Sequence, residues 1–216
     1  MYKSVLGDGA FDFTEKKSRF IGWGFFVKTE EEALRKIEEI KSEYNDANHN
    51  CYAYIIGEDA LIQGYSDDGE PQGSGGIPML EVLKKEEMRN VLVIGTRYFG
   101  GILLGKGGLY RAYTNCAIKG LDAAKRVVRE NFNRTSLSYD YNFHGKILNL
   151  LKQRDYKILE EEFTDTVSIS LYIREDAPMI KELIDLTNGT IKIEVRGIEE
   201  LATINGKIMR WKKWMR

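Results

Sequence analysis

At 216 residues the chain is too long for one small core and long enough for two domains. Its 43% hydrophobic and 30% charged residues give the balance of a globular protein, which excludes a disordered or bilayer-embedded chain. A net charge of −1 excludes a general polyanion binder, so any nucleic-acid affinity must come from local basic patches.

The segment from Met1 to Asp8 lacks the basic start and apolar stretch of a secretory signal. No later apolar run approaches bilayer length, so a cytoplasmic location without a membrane partner is expected. Residues 11–27 hold two aromatic and β-branched runs around Glu15-Lys16-Lys17-Ser18, the pattern of paired strands. Thr29 and Glu32 then form a capping box, and Ala33, Leu34, Ile37, Ile40 and Tyr44 recur at helical spacing. Residues 51–57 and 61–65 read as a hairpin joined by Glu58-Asp59-Ala60. Pro78 suits the first turn of a short helix, Val91-Leu92-Val93-Ile94 is a buried strand, and a Gly-rich loop over 100–108 opens a helix over 109–125.

Asn131-Phe132-Asn133-Arg134 reads as a boundary. Beyond it come a strand over 136–143, a helix over 145–153, strands over 156–163 and 166–173, a helix over 177–187 and a strand over 191–195. That β-α-β-β-α-β order is ferredoxin-like, and the fold class is α+β. The expected domains are 1–132, 135–204 and a basic aromatic tail over 205–216. In the tail Lys212 and Lys213 lie between Trp211 and Trp214, a pattern that suits RNA, an anionic membrane surface for which it is too short alone, or a helix docking Ile208, Trp211 and Met215.

Two Gly-rich stretches carry the candidate chemistry. In the first, Asp67, Asp68 and Glu70 stand beside Gly69, Gly73, Gly75 and Gly76. Their carboxylates suit a hard cation or an oriented water, or else cap neighbouring backbone amides; the spacing fits no calcium loop, and capping is the favoured reading. In the second, Arg97, Tyr98, Gly100, Gly101, Gly105, Lys106, Gly107, Gly108 and Arg111 lie where a strand hands over to a helix, a setting that receives anions. Gly100, Gly105 and Lys106 match P-loop spacing, but Gly107 replaces the hydroxyl residue that would hold magnesium, which argues against nucleotide hydrolysis. Tyr98, Phe99, Tyr110 and Tyr113 add rings for base stacking, or fill the core.

His49 and Cys51 raise a Cys-His nucleophile, but nothing local lowers the thiol pKa, and a buried Cys beside a bonded His is the preferred reading. Cys51 and Cys116 are expected as reduced thiols. With only His49 and His144 besides, a zinc site has no support; no metal or other cofactor is expected, and no catalytic set is recognisable.

Four groups of motifs together resemble the Impact family, in its bacterial YigZ-type branch. They are Ser18-Arg19-Phe20-Ile21, Ala47 to Tyr54, Ser66 to Pro71, and Arg97 to Gly101 with Leu104 to Tyr113. Gly73-Ser74-Gly75-Gly76 departs from the Gly-Thr-Ala-Gly usual in that family. The resemblance implies an N-terminal domain similar to domain 2 of ribosomal protein S5. It also implies a ferredoxin-like domain similar to the last domain of a translocating elongation factor. Eukaryotic members regulate translation under amino-acid stress through an additional domain, so their partner is not carried over. The expectation is a binding or regulatory protein linked to translation, meeting RNA or a ribosome-associated factor through the Gly-rich face. The competing expectations are a metal-assisted enzyme acting on a phosphorylated small molecule or nucleotide, and a protein-interaction module built on exposed aromatics.

Overall fold

The computed structural model describes residues 1–174 and 178–209. The chain divides into two compact units, one of Met1–Arg129 with the described residues from Ala202 onward, the other of Glu130–Leu201.

The first unit begins with β1 (Tyr2–Val5), β2 (Gly9–Glu15) and β3 (Ser18–Phe26). β2 and β3 form a hairpin in register Glu15↔Ser18, and Lys16 and Lys17 both take positive φ, as a two-residue hairpin turn requires. α1 (Glu30–Glu43) starts at Thr29, whose hydroxyl accepts from the Glu32 amide, while Glu32 accepts from the amide of Lys28 at 2.6 Å. The capping box thus closes one residue earlier than its usual reciprocal bond. β4 (His49–Ile56), β5 (Ile62–Ser66), α2 (Gly76–Lys85), β6 (Val91–Tyr98) and α3 (Lys106–Ala123) follow.

Five of these six strands form an antiparallel sheet in the order β2-β3-β6-β4-β5, and β1 pairs with Arg126–Arg129 instead. α2 and α3 cover one face, where Val91, Val93, Cys51, Ala53, Tyr113 and Cys116 share a core. α1 covers the other face over Leu92, Ile94, Tyr54 and Phe25. A strand buried on both faces has no polar side, which is why residues 91–94 are continuously apolar.

β6 runs to Tyr98, four residues past the apolar run, because Gly95 leaves room for the Tyr113 ring and Thr96 and Arg97 find buried partners. α3 starts at Lys106 rather than 109, so Lys106, Gly107 and Gly108 are helical rather than loop.

The second unit takes its strands from β7 (Arg126–Tyr139), β8 (Ile158–Phe163), β9 (Val167–Ile173) and β10 (Lys192–Ile204), with α4 (His144–Gln153) and α5 (Met179–Leu186) between them. The order β10-β7-β9-β8 is the 4-1-3-2 order of a ferredoxin-like sheet. Leu137, Ile147, Leu151, Ile169, Leu171 and Leu183 fill its core. Asn131–Arg134, read from sequence as a boundary, lies inside β7: Phe132 is buried and Asn133 and Arg134 pair with Ile173 and Tyr172. β10 runs nine residues beyond the expected end at Val195, and its first half is largely exposed, so apolar alternation does not mark it.

Lys207–Ile208 (β11) pairs with Thr203–Ile204 as a strand, not as a docking helix. Trp211, Trp214 and the rest of the expected tail from residue 210, like the first residue of the helix expected over 177–187, lie outside the described residues. Among the described residues no helix is long and apolar enough to cross a membrane.

Candidate functional site

The antiparallel order brings the start of β3, the end of β6, the start of β4 and the end of β5 to one edge of the sheet. The acidic loop 67–75 and the Gly-rich loop 99–105 both leave from that edge. His49 pairs with Arg97 and Cys51 with Gly95, so these side chains point to the α2–α3 face.

Glu70 joins the two loops. Its Oε1 accepts from Arg97 Nη1 at 2.7 Å and from the Tyr113 hydroxyl at 2.8 Å, with the Glu70 side chain only 2% exposed and Arg97's 6%. Arg97 lies between the rings of Phe20 and Phe99, at 5.6 and 5.4 Å. Expected from sequence to meet phosphate, Arg97 is instead a buried tie. Strand alternation turns it inward, and Glu70 neutralises it. His49 donates through Nδ1 to the carbonyl of Asp68 at 2.8 Å, which leaves Nε2 facing Glu70 Oε2 at 3.9 Å. A carbonyl only accepts, so Nδ1 is the donor.

The remaining acids of the first loop serve the backbone. Asp67 Oδ1 accepts from the amides of Gly75 and Gly76, each at 2.9 Å, and Oδ2 from Gly73 at 2.8 Å. This satisfies two of the orphan donors at the start of α2, whose N-cap Gly75 has no side chain to do so. Asp68 holds Lys41 at 2.8 Å and the Asn50 amide at 2.6 Å. Asp67 therefore caps, whereas Asp68 divides between a lysine and a strand amide and Glu70 bonds no amide.

The second loop is pinned at its beginning and open at its end. Asn48 Oδ1 accepts from the Phe99 amide at 2.7 Å and Ser18 Oγ from Gly100 at 3.2 Å. Tyr98 donates to Asp46 at 2.7 Å. Gly101 and Gly105 have φ of 82° and 73°, the left-handed region that glycine enters freely. Gly105 caps α3 without a side-chain bond, and the first turn carries no acid. Lys106 and Arg111 are exposed beside this turn, and the Arg111 guanidinium lies 3.8 Å from the Cβ position of Gly107.

Sequence reasoning weighed Tyr113 as a stacking ring or a core residue but gave it no polar role in the site, and it did not single out Ser18 or Asn48 as site residues. Tyr113 shares a helical face with Leu109 and Ala117, which marks it as inward. Asn48, before a strand and able to bond backbone, carried a weaker signal.

Two family models match the chain: the Impact N-terminal domain over residues 16–121, and a domain of unknown function, DUF1949, over residues 137–190. IMPACT family member YvyE of Bacillus subtilis is 40% identical over 195 residues, which are 89% of this chain and 90% of that protein. The chain belongs to the IMPACT family. IMPACT family member YigZ of Escherichia coli is 33% identical over 82% of this chain and 89% of its own length. A crystal structure of a hypothetical protein superposes over 90% of this chain and 96% of that one, with 30% identity and a TM-score of 0.56. The motifs that carry the IMPACT resemblance build the Glu70–Arg97–Tyr113 cluster and the two loops it ties.

That cluster does not activate a thiol in this IMPACT family chain. Burial pushes the Cys51 thiol well above its ordinary pKa and the nearby carboxylates of Glu70, Asp68 and Asp67 push it further, outweighing the Tyr113 hydroxyl; Cys116 is raised likewise by burial. The thiolate is the reactive species, so both cysteines are inert in the native fold. A colourimetric disulfide reagent at pH 8 is expected to find no thiol within minutes in the native protein and two in guanidinium chloride. Immediate labelling of Cys51 in the native protein would contradict this.

Proposed function

We propose that this IMPACT family chain is a translation-linked binding protein that grips RNA phosphate at the start of α3. The carrying observation is the uncapped first turn Lys106-Gly107-Gly108, without an acid, beside two exposed cations that form no salt bridge among the described residues. Free backbone amides, the positive end of the helix dipole and two exposed cations are what a phosphate needs. Phe99 and Tyr110, both partly exposed, supply rings for neighbouring bases. The link to translation comes from the family, whose eukaryotic members regulate it. The enzymatic alternative loses support because Asp67, Asp68 and Glu70 are spent on amides, a lysine and an arginine.

Labelled oligouridylate titrated at two salt concentrations tests the reading. Lys106→Ala with Arg111→Ala should weaken binding on the order of tenfold and flatten the salt slope by roughly 1.5, about 0.7 for each phosphate no longer neutralised. Lys84→Ala with Lys85→Ala removes the same charge from the end of α2 and should change the affinity far less. Equal losses in the two double variants would reduce the effect to net charge and refute the site.

A further inference from the structure

The opposite face of the first sheet has a groove of about 340 Å³ between α1 and the β2–β3 hairpin, lined by Asp8, Trp23, Phe25, Lys36, Glu39 and Glu43 among others. Its chemistry is the inverse of the α3 site. The Trp23 and Phe25 rings lie nearly parallel, 10° apart with centroids at 6.2 Å, and Tyr44 meets Trp23 edge-on at 5.2 Å. Three carboxylates line the groove against one ammonium, a local charge of −2.

The chain's own Lys36 shows what this groove accepts. Its Nζ sits 5.5 Å over the Phe25 ring, 3.4 Å from Asp8 and 3.1 Å from Glu39. A cation over an aromatic face, flanked by carboxylates, is stabilised by ring and charge together. Lys36 satisfies part of the site only, since Glu43 and the Trp23 side of the floor make no contact with it in these pairings. The volume is at the lower end for ligand pockets, which suits one or two side chains rather than a nucleotide.

We infer that this groove binds an arginine side chain of a basic protein segment, the guanidinium stacking on the half-buried Trp23 ring between Glu39, Glu43 and Asp8. Arginine fits better than lysine because its planar, weakly hydrated head stacks on rings and meets carboxylates with two parallel bonds. RNA is disfavoured here by the carboxylates. This site is independent of the α3 start, so the chain would hold a polyanion at the sheet edge and a basic segment on the α1 face.

The test uses the full chain and a fluorescein-labelled peptide of arginine-glycine-glycine repeats, followed by anisotropy, with a citrulline-substituted peptide for comparison. Glu39→Gln with Glu43→Gln, both in solvent contact on α1, should weaken arginine-peptide binding at least tenfold. Lys36→Met removes the resident competitor and should tighten it at least threefold, whereas Lys85→Met, an equal change in net charge remote from the groove, should leave it unchanged. Citrulline, with the same shape and no charge, should not bind. Three results would each overturn the inference: undiminished binding by the Glu39/Glu43 variant, equal tightening by Lys36→Met and Lys85→Met, or equal binding of the citrulline peptide.

Discussion

Glu70→Ala should lower the free energy of unfolding by about 3 to 5 kcal/mol, the cost of removing one partner of a buried ion pair. The magnitude follows from what the truncation leaves behind. Arg97, with a side chain 6% exposed, would lose its 2.7 Å partner and remain a buried, uncompensated cation. The Tyr113 hydroxyl, on a fully buried residue, would lose its acceptor as well. Converting both members at once, Glu70→Leu with Arg97→Met, should cost much less than the single change, because an apolar pair of similar volume leaves no charge stranded. Urea midpoints for Glu70→Ala, for Glu70→Leu and Arg97→Met singly, and for the double variant measure this directly. A Glu70→Ala loss below about 1 kcal/mol, the worth of a surface pair, would mean that water reaches the cluster and that it does not tie the loops.

Gly120→Ala and Gly145→Ala should move stability in opposite directions, although both place alanine in a helix. Propensity alone favours alanine by up to about 1 kcal/mol at each. At Gly145 in α4 nothing lies within 4 Å of the added Cβ, so only that gain operates. At Gly120 in α3 the Cβ would stand 2.5 Å from the carbonyl oxygen of Trp23 and 2.6 Å from its carbon, both backbone atoms. Overpacking of that kind costs roughly 1 to 3 kcal/mol or more, and here the obstacle is a β3 strand that cannot rotate away. The opposing approach is equally close: a Cβ at Gly24 would meet the Gly120 carbonyl oxygen at 2.5 Å. A net loss of about 2 kcal/mol is therefore expected for Gly120→Ala and a small gain for Gly145→Ala. Thermal or urea unfolding that stabilised Gly120→Ala would show that α3 rides higher on the sheet than these distances allow.

These glycines illustrate which features the sequence exposes. Local chemistry was legible where it acts within a few residues. The Thr29–Glu32 box, the Lys16–Lys17 turn and the strand-helix order of the second unit are set by short-range bonds and by alternation. The site was legible as a group of motifs but not in its division of labour. Arg97 looks like a phosphate ligand until β6 is seen to continue through it, because a Gly-Thr-Arg-Tyr run offers no apolar periodicity. Only tertiary partners, Glu70 from a loop 27 residues away and Tyr113 from a helix, decide that it is buried. Asp67 is similar: its three amide partners lie six to nine residues ahead, beyond any capping-box spacing. The interior of β7 escaped for the opposite reason, since Asn131, Asn133 and Arg134 are polar and Phe132 is the one buried residue of the four, a composition that mimics a linker.

In the proposed function phosphate meets the start of α3 and not Arg97. Backbone amide resonances of the isotope-labelled full chain, followed while oligouridylate is added, test it most directly. The largest and saturable shifts are expected at Lys106, Gly107 and Gly108, with an unperturbed Arg97 side-chain Nε–H. Saturable shifts confined to other surfaces, with these three amides unmoved, would contradict it.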